Sequence, residues 1–464
     1  MTNSRPYFCP DSPLAAASND PSPNAKPDIC YPQAMRALAL TVLFAALLPA
    51  QNLTLSPAET AILAAVEKQS APSVELLERL VNLNSGTYHP AGVRAVAELL
   101  QREFEALGFS TRLSPMDAVQ RGPHLTAEHK GNGGKPILLI GHIDTVFEPS
   151  SPFQRFERKG SSAVGPGTSD MKGGVVVILA ALKGLKEAGQ LARLPISIML
   201  TGDEESPGRS AALPNYSRQE MVTLAKLARA ALSFEGGHKG VGHDYATTAR
   251  RGYTGWELRS TGKVGHSGQV FSASAGFGAI YEISRIISAF EQTLKEPNMT
   301  FNVGLLLGGG SVKADADGAA TVDGKPNIIA GQSLARGEIR ALTQEQVSRM
   351  KDRMYAIVAR SLPGTKSEIT FEAGGDPMPP TAGNRRLLKV LSESSQAAKL
   401  GEILELDTML RGAGDISYIA AHVDCLDGLG AVGAGSHAVG ESVELASLPK
   451  QAKRAALLLH RLIP

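Results

Sequence analysis

Five short clusters in this sequence combine histidine, aspartate and glutamate with glycine: GHIDTV at 141–146, GPGTSDMKGG at 165–174, TGDEES at 201–206, SFEGG at 233–237 and GAGSHAVGE at 433–441. A lone His or Asp at the end of a strand is most often a cap or a surface polar group. The clusters together supply an imidazole from each half of a domain and three carboxylates. With one water, that is what two tetrahedral zinc ions sharing a bridge require. The charges also close, because two Zn2+ against three carboxylates and one hydroxide sum to zero, which makes a buried pair of metals tolerable.

The clusters follow segments that read as buried strands. Pro136 to Ile140 runs into Gly141, Pro195 to Thr201 runs into the acidic cluster, and Ala230 to Phe234 runs into Glu235. A helix from about Met171 to Gly189 lies between the first two strands. Helical periodicity also covers Glu59 to Leu83 and Val93 to Leu107, the latter closed by Gly108. Alternating strands and helices predict an α/β fold, with a mixed, mostly parallel sheet covered by helices on both faces. In such sheets the functional residues gather beyond the carboxyl ends of the strands.

Near Arg250 the pattern changes. Thr254, Trp256 and Leu258 alternate as in a half-exposed strand, and a helix follows from about Ser274 to Leu294. Strands near Phe301 to Leu307 and Ser333 to Ala341, a helix from Gln344 to Arg360 and a strand from Ser367 to Glu372 complete a βαββαβ order. That order predicts a small α+β unit with helices on one face of its sheet. After the GGDPMPP stretch at 374–380, helices from Arg385 to Lys399 and Leu448 to Leu462 flank a short strand at Cys425 to Leu429. The first domain resumes there. The reading is a catalytic domain over 56–247 and 376–464, interrupted by a lid or dimerisation domain over 248–375.

With 464 residues, 43% apolar and 20% charged, the chain has the composition of a soluble globular protein of two domains. A formal charge of +2 and 5% aromatic residues argue against nucleic acid as a partner. Residues 1–55 read as a leader. From Met35 the run MRALALTVLFAALLPAQN has the order of a secretory signal, with Met35 as the true start. The expected protein is exported, periplasmic or secreted, with no stable membrane span in the mature chain. Cleavage near Gln51 leaves Cys425 alone, so no internal disulfide is expected. ADADG at 314–318 lacks the terminal Glu and flanking helices of a calcium loop and reads as a hairpin turn.

The five clusters resemble, in order and spacing, the metallopeptidase family that includes glutamate carboxypeptidases of the carboxypeptidase G type, aminoacylases, peptidase T and succinyl-diaminopimelate desuccinylase. GHIDTV and GTSDMKGG are similar to its two signature motifs. The resemblance implies that His142, Asp170 and Glu235 hold one zinc, that Asp170, Glu205 and His437 hold the other, and that Co2+ or Mn2+ can substitute. It implies Glu204 as general base and Asp144 as the residue that orients His142. Two residues apart on an extended segment, Asp144 and His142 point the same way, so the carboxylate can fix the imidazole tautomer. Glu204 and Glu205 are adjacent, so one can face a metal while the other stands beside the bound water and moves its proton. DEESPGR departs from the glycine-serine pattern that follows the acidic pair in the carboxypeptidase members.

In the inserted domain, His266 in TGKVGHSG is similar to the family histidine that stabilises the oxyanion across a homodimer interface. Asn327 and Arg340 resemble residues that grip the substrate's terminal carboxylate. Arg340 has a second reading as a surface strand residue paired with Glu338. Gly412 and Gly414 loosely resemble a substrate loop, and Asp415 suits the cap of the following helix. The function implied is hydrolysis of an amide or peptide bond beside a free carboxylate, the substrate being a small peptide or an N-acyl amino acid. An N-acyl amino acid deacylase or desuccinylase with the same metals is the alternative. A non-catalytic binding relative would be expected to have lost Glu204 or a ligand, and this chain has lost neither.

Overall fold

The computed structural model describes residues 54–210, 215–315 and 319–463. The leader and signal reading falls on residues 1–55, nearly all of which lie outside the described residues. Among the described residues no helix is long and apolar enough to cross a membrane.

A six-stranded sheet forms the centre of the larger unit. Its order is Ser110–Met116, Arg121–His129, Ile196–Thr201, Ile137–His142, Ala230–Ser233 and Cys425–Leu426. The first three pair antiparallel, and the last four run parallel. Ile137–His142 and Ile196–Thr201 are buried at every residue, as strands covered on both faces must be. Successive side chains of the first of these strands serve opposite faces. Ile137 and Leu139 join the core beneath Pro57–Glu67, Pro90–Leu107, Lys172–Glu187 and Ser447–Leu462, while Leu138 and Ile140 join a second core with Met221, Ile416 and Ile419.

The first expected helix is two helices, Pro57–Glu67 and Ser70–Val81. Pro72 has no N–H to donate back across the junction, and Ser70 Oγ donates to the Glu67 carbonyl at 2.7 Å, so the helix restarts there. The antiparallel strands Ser110–Met116 and Arg121–His129 are an addition to the sequence reading. Pro115 sits at the register shift of this edge strand, one of the few sheet positions that tolerate proline.

Residues 252–371 build a second sheet, ordered Thr300–Gly309, Gln332–Ala341, Gly252–Gly262 and Thr365–Phe371, antiparallel throughout. Helices Ala279–Thr293 and Gln344–Val358 pack on one face through Trp256, Leu258, Ile286, Phe290, Ile339 and Met350. Ser311–Ala314 and Ala320–Asp323 pair as a hairpin at the place read as a turn, its tip at 316–318 lying outside the described residues.

Candidate metal centre

Parallel strands deliver their carboxyl ends to one edge. His142 closes its strand opposite Thr201, and Ile140 pairs with Ser233, so the segments carrying His142, Glu204 and Glu235 emerge side by side. His142 Nδ1 hydrogen-bonds the backbone carbonyl of Asp144 at 3.2 Å, and Asp144 Oδ1 lies 3.3 Å from the same nitrogen. The same fully buried carboxylate accepts from the backbone N–H of Glu204 at 3.0 Å, from that of Glu205 at 3.1 Å and from Thr87 Oγ1 at 2.7 Å. It therefore fastens the acidic turn as well as the imidazole, leaving His142 Nε2 turned into the site.

His142 Nε2 is 3.1 Å from Asp170 Oδ1 and 3.5 Å from Glu235 Oε1. His437 Nε2 is 3.3 Å from Asp170 Oδ2 and 2.9 Å from Glu205 Oε2. Two ligands bound at about 2.05 Å to a tetrahedral zinc ion stand about 3.3 Å apart, so both donor sets have the spacing of ligands around a common centre. Asp170 belongs to both, one oxygen toward each imidazole. His142, Asp170 and Glu205 also offer donor atoms within 4.8 Å of one another, as expected where two such sets share a carboxylate. The donor chemistry and spacing thus fit two metals.

Long-range contacts hold Asp170 in place. Glu441 accepts from the backbone N–H of Gly167 at 2.9 Å, Ser169 at 2.8 Å and Asp170 at 2.9 Å. Gly174 opens the next helix where a Cβ would stand 2.0 Å from the Phe234 carbonyl oxygen, which is why backbone can approach the segment bearing Glu235. Lys172, fully buried, donates to the carbonyls of Leu80 and Leu83, both at 3.0 Å, a structural use. His437 sits on an exposed turn with φ 65, a left-handed backbone that costs a non-glycine residue about 1 kcal/mol.

Crowding of carboxylates sets the electrostatics. Burial opposes charge on His142, yet Asp144, Asp170 and Glu235 together carry its pKa well above the usual value. Burial, with Asp415, Glu235 and Glu205 adding to it, raises Glu204 well above the ordinary glutamate value. Glu235 is pushed up to about 7 by burial and by Asp170, and hydrogen bonds to Asp170 and Glu205 raise His437 to about 10. Burial and mutual repulsion make Glu204, Glu205 and Glu235 hold their protons, while the two imidazoles keep Asp170 well below the ordinary aspartate value, and a divalent cation would replace the protons on the glutamates and imidazoles.

A cleft of about 260 Å³ opens over these side chains, walled by Asp170, Glu204, Glu235 and His437 and by Arg250 and the loop 410–413. His266, Asn327 and Arg340 do not line it. His266 and Asn327 are exposed neighbours on one small ribbon, where Ser267 N–H donates to the Asn327 carbonyl at 3.1 Å. Arg340 pairs with Glu338 through Nε at 2.7 Å and Nη2 at 3.3 Å, the second of its two readings. Asp415, read as a cap, instead accepts from Arg218 Nε at 2.5 Å and Thr201 Oγ1 at 2.6 Å. Arg218 also donates to Asp203 Oδ1 at 2.5 Å, so a buried cation joins the acidic turn to the 412–415 loop. Arg218, Arg250, Arg411 and Glu441 are additions to the sequence reading.

Residues 138–461 match the model of peptidase family M20/M25/M40. Among curated relatives, a carboxypeptidase G2 from Pseudomonas sp. is 28% identical over 402 residues, covering 85% of this chain and 90% of the relative. A succinyl-diaminopimelate desuccinylase from Gluconacetobacter diazotrophicus is 26% identical over 407 residues, covering 86% and 99%. Among solved structures, the aminopeptidase PepT of Bacillus cereus superposes with a TM-score of 0.67 at 19% identity, covering 85% of this chain and 99% of that one.

Proposed function

The chain belongs to peptidase family M20/M25/M40, and from that premise we propose a two-zinc hydrolase that cleaves an amide or peptide bond beside a free carboxylate, most like a glutamate-type carboxypeptidase. What carries the proposal is the pair of donor sets, His142–Asp170–Glu235 and His437–Asp170–Glu205, spaced for two metals around one shared carboxylate.

The metals, when bound, supply Lewis acidity and a water of lowered pKa. Glu204 is the proton carrier. Its carboxylate lies in the cleft beside both sets, and an environment that raises its pKa suits a group that takes a proton from water and returns it to the leaving nitrogen. Asp144 holds the His142 ring and the backbone of Glu204 in register for that transfer. His266 and Asn327 stand away from the cleft of their own chain, which favours their acting in a homodimer across to the partner's site. We propose export as the setting, on the signal-like run from Met35.

A deacylase or desuccinylase is the second reading, favoured by the desuccinylase relative, whose length the match spans almost entirely. A release assay over N-acyl amino acids, dipeptides and folate-like glutamates, combined with metal analysis, tests both. The expected result is about two zinc ions per chain and release of a C-terminal amino acid. Full turnover by a metal-free chain overturns the proposal, and preferential release of an acyl acid from N-acyl diamino acids selects the second reading.

A further inference from the structure

Tyr88 keeps 64% of its surface exposed, yet it is fastened at three points. Its N–H donates to Glu148 Oε1 at 2.9 Å, its hydroxyl lies 2.8 Å from Ser206 Oγ, and the Arg121 guanidinium covers one face of the ring at 4.4 Å from its centre. Arg121 is itself held, its Nε donating to the Ser206 carbonyl at 2.8 Å and its Nη2 to Ser206 Oγ at 3.3 Å. A guanidinium stacked on the ring is attracted to it and fixes its plane. One face is therefore covered, and the other stays open in a set orientation.

The ring stands at the rim of the metal centre. Ser206 follows Glu205, a donor of the second set, and Thr87, which precedes Tyr88, donates to Asp144 at 2.7 Å. Tyr88 does not line the cleft itself, whose volume of about 260 Å³ is below the about 300–1,000 Å³ of sites that enclose a small ligand. Part of a peptide substrate must then lie over the rim, and beside the second donor set it meets an apolar plane. Arg121 and Glu148 flank that plane with opposite charges, which leave it without a net one.

We propose that the open face of Tyr88 receives an aromatic side chain on the acyl side of the scissile bond, so that the preferred substrates are peptides with an aromatic residue ahead of the released amino acid. This rests on the reading of the site as an amide or peptide hydrolase. Aromatic pairs gain affinity beyond the area they bury, and a ring fixed in advance has little ordering left to lose on binding. The position of the ring also selects among aromatic substrates. In a phenylalanyl residue the ring begins three bonds from the scissile carbonyl carbon, far enough to leave the cleft for the rim. The ring of a benzoyl group begins one bond away and stays inside.

Calorimetric titration of the zinc-loaded Glu204→Gln chain with Phe-Glu, cyclohexylalanyl-Glu and N-benzoyl-Glu tests this without turnover. The first two probes differ in the planarity of one ring. The Glu204→Gln chain, alone or with Tyr88→Phe, should prefer Phe-Glu over cyclohexylalanyl-Glu by roughly twofold to tenfold, the range of an aromatic pair. Adding Tyr88→Leu instead, which keeps an apolar side chain but no ring, should erase that preference and leave the affinity for N-benzoyl-Glu unchanged. A Glu204→Gln chain without the preference, a Leu variant that keeps it, a Phe variant that loses it, or a Leu variant that weakens N-benzoyl-Glu as much as Phe-Glu each overturns the proposal. If wild type hydrolyses none of the three while the Tyr88-dependent preference persists, the hydrolase reading fails and the stacking site stands.

Discussion

The carboxylate of Asp144 accepts a hydrogen bond from the backbone N–H of Glu204 at 3.0 Å. The same group stands 3.3 Å from His142 Nδ1, so one buried side chain sets both the ring and the turn that carries the base. Asp144→Asn should weaken zinc binding about 10- to 100-fold, the usual effect of disturbing a partner of a ligand histidine. Competition against a chromogenic chelator measures it, and unchanged affinity would contradict this role.

Glu441 accepts from three backbone N–H groups around Asp170. Glu441→Gln presents an NH2 where an acceptor is needed, leaving at least one donor unsatisfied at a cost of about 1–3 kcal/mol. Thermal unfolding should show a lowered Tm, with zinc lost more readily to a chelator. A variant as stable and as well loaded as wild type would show that the loop is held otherwise.

Arg218 gives a prediction in pH. In the folded protein burial opposes ionisation of Asp203, but Arg218 and His124 outweigh it and hold the pKa below the ordinary value. A depressed pKa stabilises the fold above the unfolded value and loses that contribution as pH falls through the folded one, so the contribution is intact between pH 5 and 7. Arg218→Met should cost about 3–5 kcal/mol at neutral pH by stranding two buried carboxylates. Burial, the largest influence on Asp203, then outweighs the remaining Gly208 N–H and His124, the carboxyl pKa rises above its unfolded value, and the sign reverses: the gap to wild type should narrow from pH 7 to pH 5. Melting curves at the two values decide this, and a gap that widens on acidification is the contrary result.

Glu204→Gln should retain its zinc and lose about 10²- to 10⁴-fold in turnover, the range of general-base catalysis. Mixed with His266→Ala chains, it should regain part of the activity if His266 serves the partner's site. Mixed subunits with no recovery would confine His266 to its own chain or remove it from the reaction.

The parallel half of the sheet was legible because Ile137–His142 and Ile196–Thr201 are apolar runs that end on polar clusters, a pattern that burial on both faces imposes. The strand Ser110–Met116 was not, because an edge strand that tolerates Pro115 at a bulge carries a broken alternation. The helix break at Ser70 had a visible signal in Pro72, and the continuous apolar period around it masked that signal. Within the site, the clustered His, Asp and Glu residues announce themselves by adjacency. Arg218 and Arg411 do not, and Glu441 closes the last cluster without showing what it braces, since their partners lie 197, 175 and 271 residues away, distances over which no local spacing rule operates.

His142, Asp170, Glu205 and Glu235 all precede the second sheet, and His437 and Glu441 follow it. During synthesis, a chain that has emerged as far as the second sheet therefore carries most of the donors without the imidazole and the brace that complete the set around Asp170. The set around Asp170 is then completed only once the segment carrying His437 and Glu441 has been made.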